Sequence, residues 1–282
     1  MKKLTLLLLC FVLGGGLLAT GVRAGEPKSA EEEIDPDVLR KVRKLINGTL
    51  SEDTAEREKA WTEIKNMGNL VVPGLLGIYR QKETTPPMMR SILIALGDSK
   101  DKRAGAVLAE MLSSKEAFVR RDAARAMGDS GYRAGKPALE AMAADEKEDA
   151  DVRLFAAVAG AKLESEKSLE ILTALLKQAK PEIRSRAVFA LGKYGGLKQA
   201  PAIEKALEDA DSSVREDAVE ALRLLGKKPA WGGLVKATGD EDYKVRNAAL
   251  NALKELTGEA KENAKGWQEW WEEEKKKPET LK

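Results

Sequence analysis

Apolar and small residues recur along the central part of the chain with a helical period, most clearly in the segment 119–128. Counted from Arg120, they fall at positions −1, +3, +6 and +7, and in most copies of the segment at +10. At 100° per residue these positions form one stripe along a helix. The pattern therefore predicts an amphipathic helix that buries this stripe.

The same helix recurs downstream at a nearly constant interval. The five copies carry their arginine at Arg120, Arg153, Arg184, Arg215 and Arg246, with spacings of 33, 31, 31 and 31 residues. Weaker copies lie upstream, around Met89 and Arg57. A unit of this length accommodates two short helices and two tight turns, so the period predicts an array of about seven helical pairs.

A shorter segment between successive arginine helices predicts the partner helix of each pair. Proline stands near its start at Pro137, Pro201 and Pro229, where a helix tolerates this residue best. Acidic residues before the next arginine helix can cap its N-terminus and complement its dipole. These acids are Asp149, Asp151, Asp209, Asp211, Asp240 and Asp242. We interpret Gly128 and Gly192 as left-handed C-caps that end their helices.

The repeated pattern D-x-x-V-R-x-x-A-x-x-A-L-G, with its proline-started partner helix, resembles HEAT repeats over residues 53–258. It is most similar to the short HEAT-like subclass of bilin lyase subunits. The resemblance implies an all-α fold, a right-handed α-α superhelix of the HEAT/armadillo type with the arginine helices on its concave face. It also implies that the repeat arginines are structural and pair with the acid before their helix or with the neighbouring unit. It implies no particular reaction.

The first 24 residues predict a secretory signal peptide. A basic start is followed by apolar residues 4–20, and Val22 and Ala24 suit the −3 and −1 positions of a cleavage site. Two alternatives stay open: a lipoprotein cysteine at Cys10, although Leu9 stands where a small residue is wanted, and an uncleaved membrane anchor. We expect an exported protein, periplasmic or secreted, without stable membrane insertion once the segment is removed.

Two further segments flank the repeats. Residues 25–35 are acidic and poor in apolar side chains, which predicts a flexible linker. Residues 36–47 predict an amphipathic helix that caps the array, and Gly48 stops it. The predicted division is a signal peptide at 1–24, a linker at 25–35, a solenoid with its N-terminal capping helix at 36–258, and a Trp-rich capping helix and tail at 259–282.

Three tryptophans near the C-terminus, Trp267, Trp270 and Trp271, share one helical face. Their Leu-Thr-Gly then Trp-x-x-Trp-Trp arrangement is similar to the tails of some secreted bacterial HEAT-repeat proteins. We interpret the segment as a cap, because a repeat array needs its apolar end covered to stay soluble. The alternative is a helix that faces a partner or a membrane interface.

Composition limits the chemistry. Residues 1–24 contain Cys10, three basic residues and no acid, so cleavage would leave no cysteine, no histidine, and 45 basic against 46 acidic residues. This excludes disulfides, thiolate nucleophiles, Ser-His-Asp triads and imidazole metal sites in the mature chain. Near-zero net charge argues against nucleic acid as a partner. We therefore expect no catalytic residue, cofactor or metal.

Positions +1 and +5 of the arginine helices are not needed by the repeat and are candidates for function. Position +1 carries Arg121, Leu154, Ser185, Glu216 and Asn247, and position +5 carries Arg125, Val158, Phe189, Glu220 and Asn251. Exposed apolar residues can mark an interaction site. We predict that Leu154, Val158 and Phe189 bind a protein segment, with Arg121 and Arg125 flanking them. The alternative is that these side chains fold over neighbouring helices.

These observations favour a non-enzymatic scaffold of the cell envelope that presents a helical surface to a protein partner. An enzyme-associated subunit, or a lyase-like protein of the HEAT-like lyase class, is the alternative, because fold alone does not exclude it. A purely structural assembly unit is a third possibility.

Overall fold

The computed structural model describes residues 34–81 and 84–277; the predicted signal peptide and most of the acidic linker lie outside them. The described residues form fifteen α-helices and no strand, which confirms the predicted all-α solenoid. The helices are α1 (Pro36–Gly48), α2 (Thr54–Met67), α3 (Val72–Arg80), α4 (Pro86–Ser99), α5 (Lys102–Met111), α6 (Ala117–Ser130), α7 (Lys136–Ala144), α8 (Ala150–Lys162), α9 (Glu166–Leu175), α10 (Pro181–Tyr194), α11 (Ala200–Ala206), α12 (Ser212–Leu225), α13 (Trp231–Ala237), α14 (Tyr243–Thr257) and α15 (Ala264–Glu274).

The helices form two layers. The predicted arginine helices are α6, α8, α10, α12 and α14, and each packs against the shorter odd-numbered helix that precedes it. From α4 onwards, neighbouring even-numbered helices pack side by side more closely than neighbouring odd-numbered ones do. The even-numbered helices therefore make up the inner layer of the array, and their solvent-facing side is the groove considered below.

The predicted stripe is the core of the array. In all five arginine helices the residues at −1, +3 and +6 are buried, and so is the residue at +7. Position +4 is buried as well in four of them, at Ala124, Ala157, Val188 and Val219. The buried face of these four helices is thus wider than the sequence pattern predicts, because α6, α8, α10 and α12 each contact an odd-numbered helix and two even-numbered neighbours.

Helix termini follow the expected capping chemistry. Asp149, Asp211 and Asp242 are the N-cap residues of α8, α12 and α14, and each side chain accepts hydrogen bonds from backbone amides of the first turn. Left-handed glycines end three of the arginine helices, at Gly131, Gly226 and Gly258, which adopt positive φ.

The C-cap interpretation of Gly128 and Gly192 is wrong. Both glycines lie inside helices, which continue to Ser130 and Tyr194. A Cβ atom on Gly128 would lie 2.8 Å from the Cα of Ala159 in α8, and one on Gly192 would overlap the Cα of Ala221 in α12. These glycines are therefore needed because the backbones of two neighbouring helices touch there.

Both ends of the described chain pack onto the array. Asp35 caps α1, and the side chain of Ile34 lies close to Gly77 in α3, so the last two residues of the predicted linker belong to the fold. At the other end, α15 packs against α13, where the ring of Trp270 lies near that of Trp231, and Trp267 of α15 is buried. None of the helices in the described part of the chain has the length and apolarity needed to span a bilayer.

Candidate binding groove

The repeat arginines hold successive units together. Arg184 donates from Nε and Nη2 to the two carboxylate oxygens of Asp209, each at 2.7 Å, and from Nη1 to the backbone carbonyls of Gln178 and Ala179 at 2.8 and 2.9 Å. Asp209 lies before α12, in the next unit. The guanidinium thus joins the loop before its own helix to the loop before the next arginine helix.

Two other arginines make the same bidentate contact. Arg120 pairs with Glu148 and Arg215 pairs with Asp240, at nitrogen–oxygen distances of 2.7 to 2.9 Å. All three guanidiniums are largely buried, so they are occupied by the fold and do not face the groove. Arginine suits this position better than lysine, because its planar guanidinium binds both carboxylate oxygens while its aliphatic stem is buried.

Arg153 in α8 does not share this arrangement. Its Nε donates to the carbonyl oxygen of Ala143, in the helix before it. The position 25 residues further on, where Arg184 and Arg215 find their aspartates, holds Gln178. Among the described residues, the step from α8 to α10 therefore has no bidentate arginine–carboxylate pair.

The same step also lacks the close glycine contact. Gly97, Gly128 and Gly192 each face an alanine of the next even-numbered helix, whereas α8 carries Ala161 at that position and Gly160 one residue earlier. A Cβ atom on Gly160 would overlap the Oγ of Ser168, so α8 makes its close approach to α9. Of the even-numbered neighbours between α4 and α14, α8 and α10 pack least closely.

The looser packing leaves an apolar cleft of about 430 Å³ between α8 and α10. Phe155 and Val158 of α8 line one side, and Phe189 and Tyr194 of α10 line the other. Leu154, predicted as an exposed member of the patch, is only 1% exposed and forms part of the core. The Leu154 side chain lies at the bottom of the cleft, where almost none of its surface is exposed to solvent.

Cationic side chains surround the aromatic rings of this cleft. The guanidinium carbons of Arg121 and Arg186 lie 5.6 and 5.5 Å from the ring centroid of Phe155. The ammonium of Lys193 lies 5.8 Å from the ring centroid of Phe189. Such cation–π contacts are worth about 0.5–1 kcal/mol each at exposed positions. They hold the cations at the mouth of the cleft.

A basic pocket adjoins the cleft on the α6 side and shares Phe155 and Arg186 with it. Asp122, which is buried, accepts a hydrogen bond at 3.0 Å from the Nε of Arg90 and another at 3.0 Å from that of Arg121. Arg125 lines the same pocket. The basic pocket brings together the two arginines predicted to flank the patch, and it adds Arg90 to them.

The groove becomes acidic on the other side of the cleft. Glu216 is exposed on α12, and Asp217 accepts a hydrogen bond from the Oγ of Ser185. Glu220 is bound by Arg223 at 2.7 Å, and this contact lowers the pKa of the Glu220 carboxyl. The groove surface therefore changes from basic at α6, through apolar at α8 and α10, to acidic at α12.

Sequence reasoning missed Phe155 and Arg186, which both occupy position +2 of their helices. Position +2 lies one turn before +5, so a helix that shows +5 to the groove also shows +2. The series at +2 reads Asp122, Phe155, Arg186, Asp217 and Ala248. Arg90 was missed because the repeat is shifted by one residue in α4. Met89 aligns with the repeat arginines, so Arg90 lies one residue later, at a position that faces the groove.

Comparison with known proteins identifies the family. A family model described as HEAT repeats matches residues 72–150, 143–223 and 201–264, and the chain belongs to this family. The chain is therefore a helical scaffold built from HEAT repeats. No curated protein matches the sequence significantly.

Several solved structures are similar in fold. One is human deoxyhypusine hydroxylase in complex with glycerol, 16% identical, covering 79% of this chain and 98% of that chain with a TM-score of 0.38. YibA of Escherichia coli is 18% identical, covering 77% and 95%, with a TM-score of 0.46. The complex of CpcE and CpcF of phycocyanin lyase from Nostoc sp. is 17% identical, covering 82% and 94%, with a TM-score of 0.43.

Proposed function

We propose that this chain is a non-enzymatic, exported scaffold that binds a segment of a partner protein in the groove of its even-numbered helices. The apolar cleft between α8 and α10 is the observation that carries the proposal. It is a departure from the repeat, since the helix pairs on either side of it close through glycine. Because α8 and α10 do not pack closely, the apolar side chains between them stay accessible.

The chemistry of the cleft suits a protein ligand. Phe155, Val158 and Phe189 are half-buried, so their free edges are available to a side chain of the partner. Aromatic residues and arginine are the side chains that contribute most to binding at protein interfaces. Cationic groups at the mouth of the cleft supply polar contacts around this apolar centre.

The absence of catalysis is part of the proposal. The chain contains no histidine, and the groove carboxylates Asp122, Asp217 and Glu220 are engaged by neighbouring side chains. An absorbance spectrum of the purified protein tests this part, because a bound chromophore would favour a lyase-like role. Export rests on the first 24 residues, and periplasmic activity of an alkaline phosphatase fusion to residues 1–35 tests it.

Site-specific photo-crosslinking in cells tests the groove. A photoreactive phenylalanine analogue at position 189 should form a covalent adduct with another protein. The same analogue at Leu70, which is 70% exposed in a turn outside the groove, is the matched control. A Phe155→Ala substitution should reduce the adduct at position 189 without changing the melting temperature by more than a few degrees. Equal adducts at positions 70 and 189 would contradict the proposal.

A further inference from the structure

Two arginines of the basic pocket are left without a carboxylate partner among the described residues. Arg125 and Arg186 are exposed and line the basic pocket together with Phe155. In the described part of the chain neither guanidinium forms an ion pair. Arg121, in contrast, is bound to Asp122. An arginine whose donors are not engaged by a carboxylate of its own chain can receive an acceptor from outside.

We propose, on the basis of the function proposed above, that the groove selects a partner segment in which an acidic residue stands close to a bulky apolar residue. The apolar side chain enters the cleft between Phe155 and Phe189, and the carboxylate binds to the guanidiniums of Arg125 and Arg186. The partner is thus a protein with an exposed acidic and apolar segment.

The charge of the basic pocket supports this ligand. Basic residues outnumber acidic ones in the basic pocket, which is lined by Arg90, Arg121, Arg125, Lys180 and Arg186 and by Asp122, Asp151 and Glu182. Asp122 is already used by two of the arginines. The site therefore keeps a positive excess, although the chain as a whole is nearly neutral. A carboxylate that enters it reduces this excess.

The geometry of Arg186 places its donors at the right position. Its guanidinium carbon lies 5.5 Å from the ring centroid of Phe155, a residue that lines both the cleft and the basic pocket. Contact with a ring occupies a face of the guanidinium and leaves the N–H groups at its edge free for a planar acceptor. A carboxylate bound there would lie next to an apolar side chain seated in the cleft.

The acidic end of the groove fixes the direction of binding. Glu216 on α12 is exposed, and Asp217 and Glu220 lie beside it. Like charges across an interface disfavour a wrong register. An acidic residue of the partner is therefore repelled from α12 and confined to the side of α6, so the segment binds with its acid towards α6 and its apolar residue over α8 and α10.

Selection from a random peptide library displayed on phage tests the proposal. The full chain without its first 24 residues is the bait, and prior subtraction on a Phe155→Ala, Phe189→Ala variant removes peptides that bind outside the cleft. The enriched peptides should contain Asp or Glu next to Phe, Trp, Leu or Ile. Enrichment of peptides that need the phenylalanines but carry no acidic preference would overturn the proposal while leaving the proposed function intact.

Substitution of the arginines makes the test quantitative. The affinity of an enriched peptide, measured by fluorescence anisotropy, should fall about tenfold in Arg125→Ala, Arg186→Ala, which corresponds to about 1.4 kcal/mol. Arg80→Ala, at an exposed arginine of α3, should leave the affinity unchanged. Added salt should weaken binding to the parent chain more than to the double variant. Equal affinities for parent and double variant would refute the arginine contacts, and peptides that bind without Phe155 and Phe189 would refute the proposed function itself.

Discussion

Arg184 in α10 and Asp209 in the loop before α12 form a bidentate ion pair with both nitrogen–oxygen distances at 2.7 Å. The side chains are 14% and 13% exposed, so the pair lies between a surface salt bridge and a fully buried one. The Arg184 guanidinium also satisfies two loop carbonyls. Loss of the guanidinium therefore leaves both a carboxylate and part of the loop backbone without their partner.

Arg184→Met should lower the free energy of unfolding by about 2 kcal/mol, because it leaves Asp209 largely buried and uncompensated. Urea denaturation followed by circular dichroism measures the change. Arg133→Met is the matched control, since Arg133 pairs with Glu164 across an exposed surface, and we expect little effect. A double-mutant cycle with Asp209→Asn should show coupling between residues 184 and 209; simple additivity would show that the contact does not join the units.

The same pair makes stability depend on pH. The hydrogen bonds from Arg184 hold the pKa of the Asp209 carboxyl below its ordinary value, although burial opposes the shift. A carboxyl with a lowered folded-state pKa contributes stability that is fully present above its unfolded pKa, about 4, and is lost as the pH falls through its folded pKa. The difference in unfolding free energy between the parent chain and Asp209→Asn should therefore be constant near neutral pH.

That difference should shrink below about pH 4 and disappear in stronger acid, where the parent chain also carries a neutral group at residue 209. Urea midpoints measured across this range provide the test. Glu148 should behave in the same way, since its hydrogen bonds with Arg120 lower its pKa. A difference between parent and variant that persists in strong acid would mean that the substitution perturbs packing and that the charge is not responsible.

Glycine contacts between even-numbered helices give a graded prediction. A Cβ atom would lie 3.0 Å from the Cα of Ala126 at Gly97, 2.8 Å from the Cα of Ala159 at Gly128, and closer still to Ala221 at Gly192. Alanine should destabilise the chain in the order Gly192, Gly128, Gly97, with about 2 kcal/mol or more at Gly192 because backbone must shift. Thermal melts of the three variants measure this order.

Gly266→Ala in α15 is the control for helix propensity. Its Cβ would contact only the side chains of Lys261 and Asn263. Alanine is favoured over glycine in a helix by about 1 kcal/mol, so this variant should be neutral or slightly more stable. If Gly192→Ala were as stable as Gly266→Ala, the backbones of α10 and α12 would not be in close contact at Gly192, and the prediction would be wrong.

These glycines also show where sequence reasoning succeeds and where it fails. The stripe of Val, Ile and Ala is a local periodic signal, and it predicts both the helices and their buried face. The role of Gly128 and Gly192 depends on a residue about 30 positions away, and a glycine near a helix end is equally consistent with a local cap. The acids that pair with Arg120, Arg184 and Arg215 are likewise non-local, and the sequence leaves each of them among several candidates.

The groove was predictable in part for the same reason. Val158, Phe189, Arg121 and Arg125 follow from the register of the repeat and do line the groove. The cleft itself arises because two contacts that join other neighbouring helices are missing between α8 and α10. The close glycine contact is missing because α8 carries Gly160-Ala161 in place of Leu-Gly, and the ion pair is missing because Gln178 stands where an acid would pair with Arg153. Each departure is visible in the sequence, but its consequence depends on how far α8 and α10 separate in space.

The C-terminal helix supplies the last prediction. Trp267 is 1% exposed, and its ring meets Trp270 edge-on with centroids 5.3 Å apart, while Trp270 lies 6.0 Å from Trp231 of the last repeat. Trp267→Ala should cost about 3–5 kcal/mol locally, as truncation of a buried aromatic residue does. Gln268→Ala, at an exposed position of the same helix, should have little effect.

The loss should be confined to the end of the array, because each repeat contacts only its neighbours. Hydrogen exchange in the Trp267→Ala variant should accelerate in α13 and α14 and remain slow in α4 and α6. Deletion of residues 263–282 should produce the same pattern and reduce solubility. If the truncated chain kept the melting temperature and solubility of the parent, α15 would not be required as a cap, and its half-buried Trp270 and Trp271 would then be better explained as a surface for a partner.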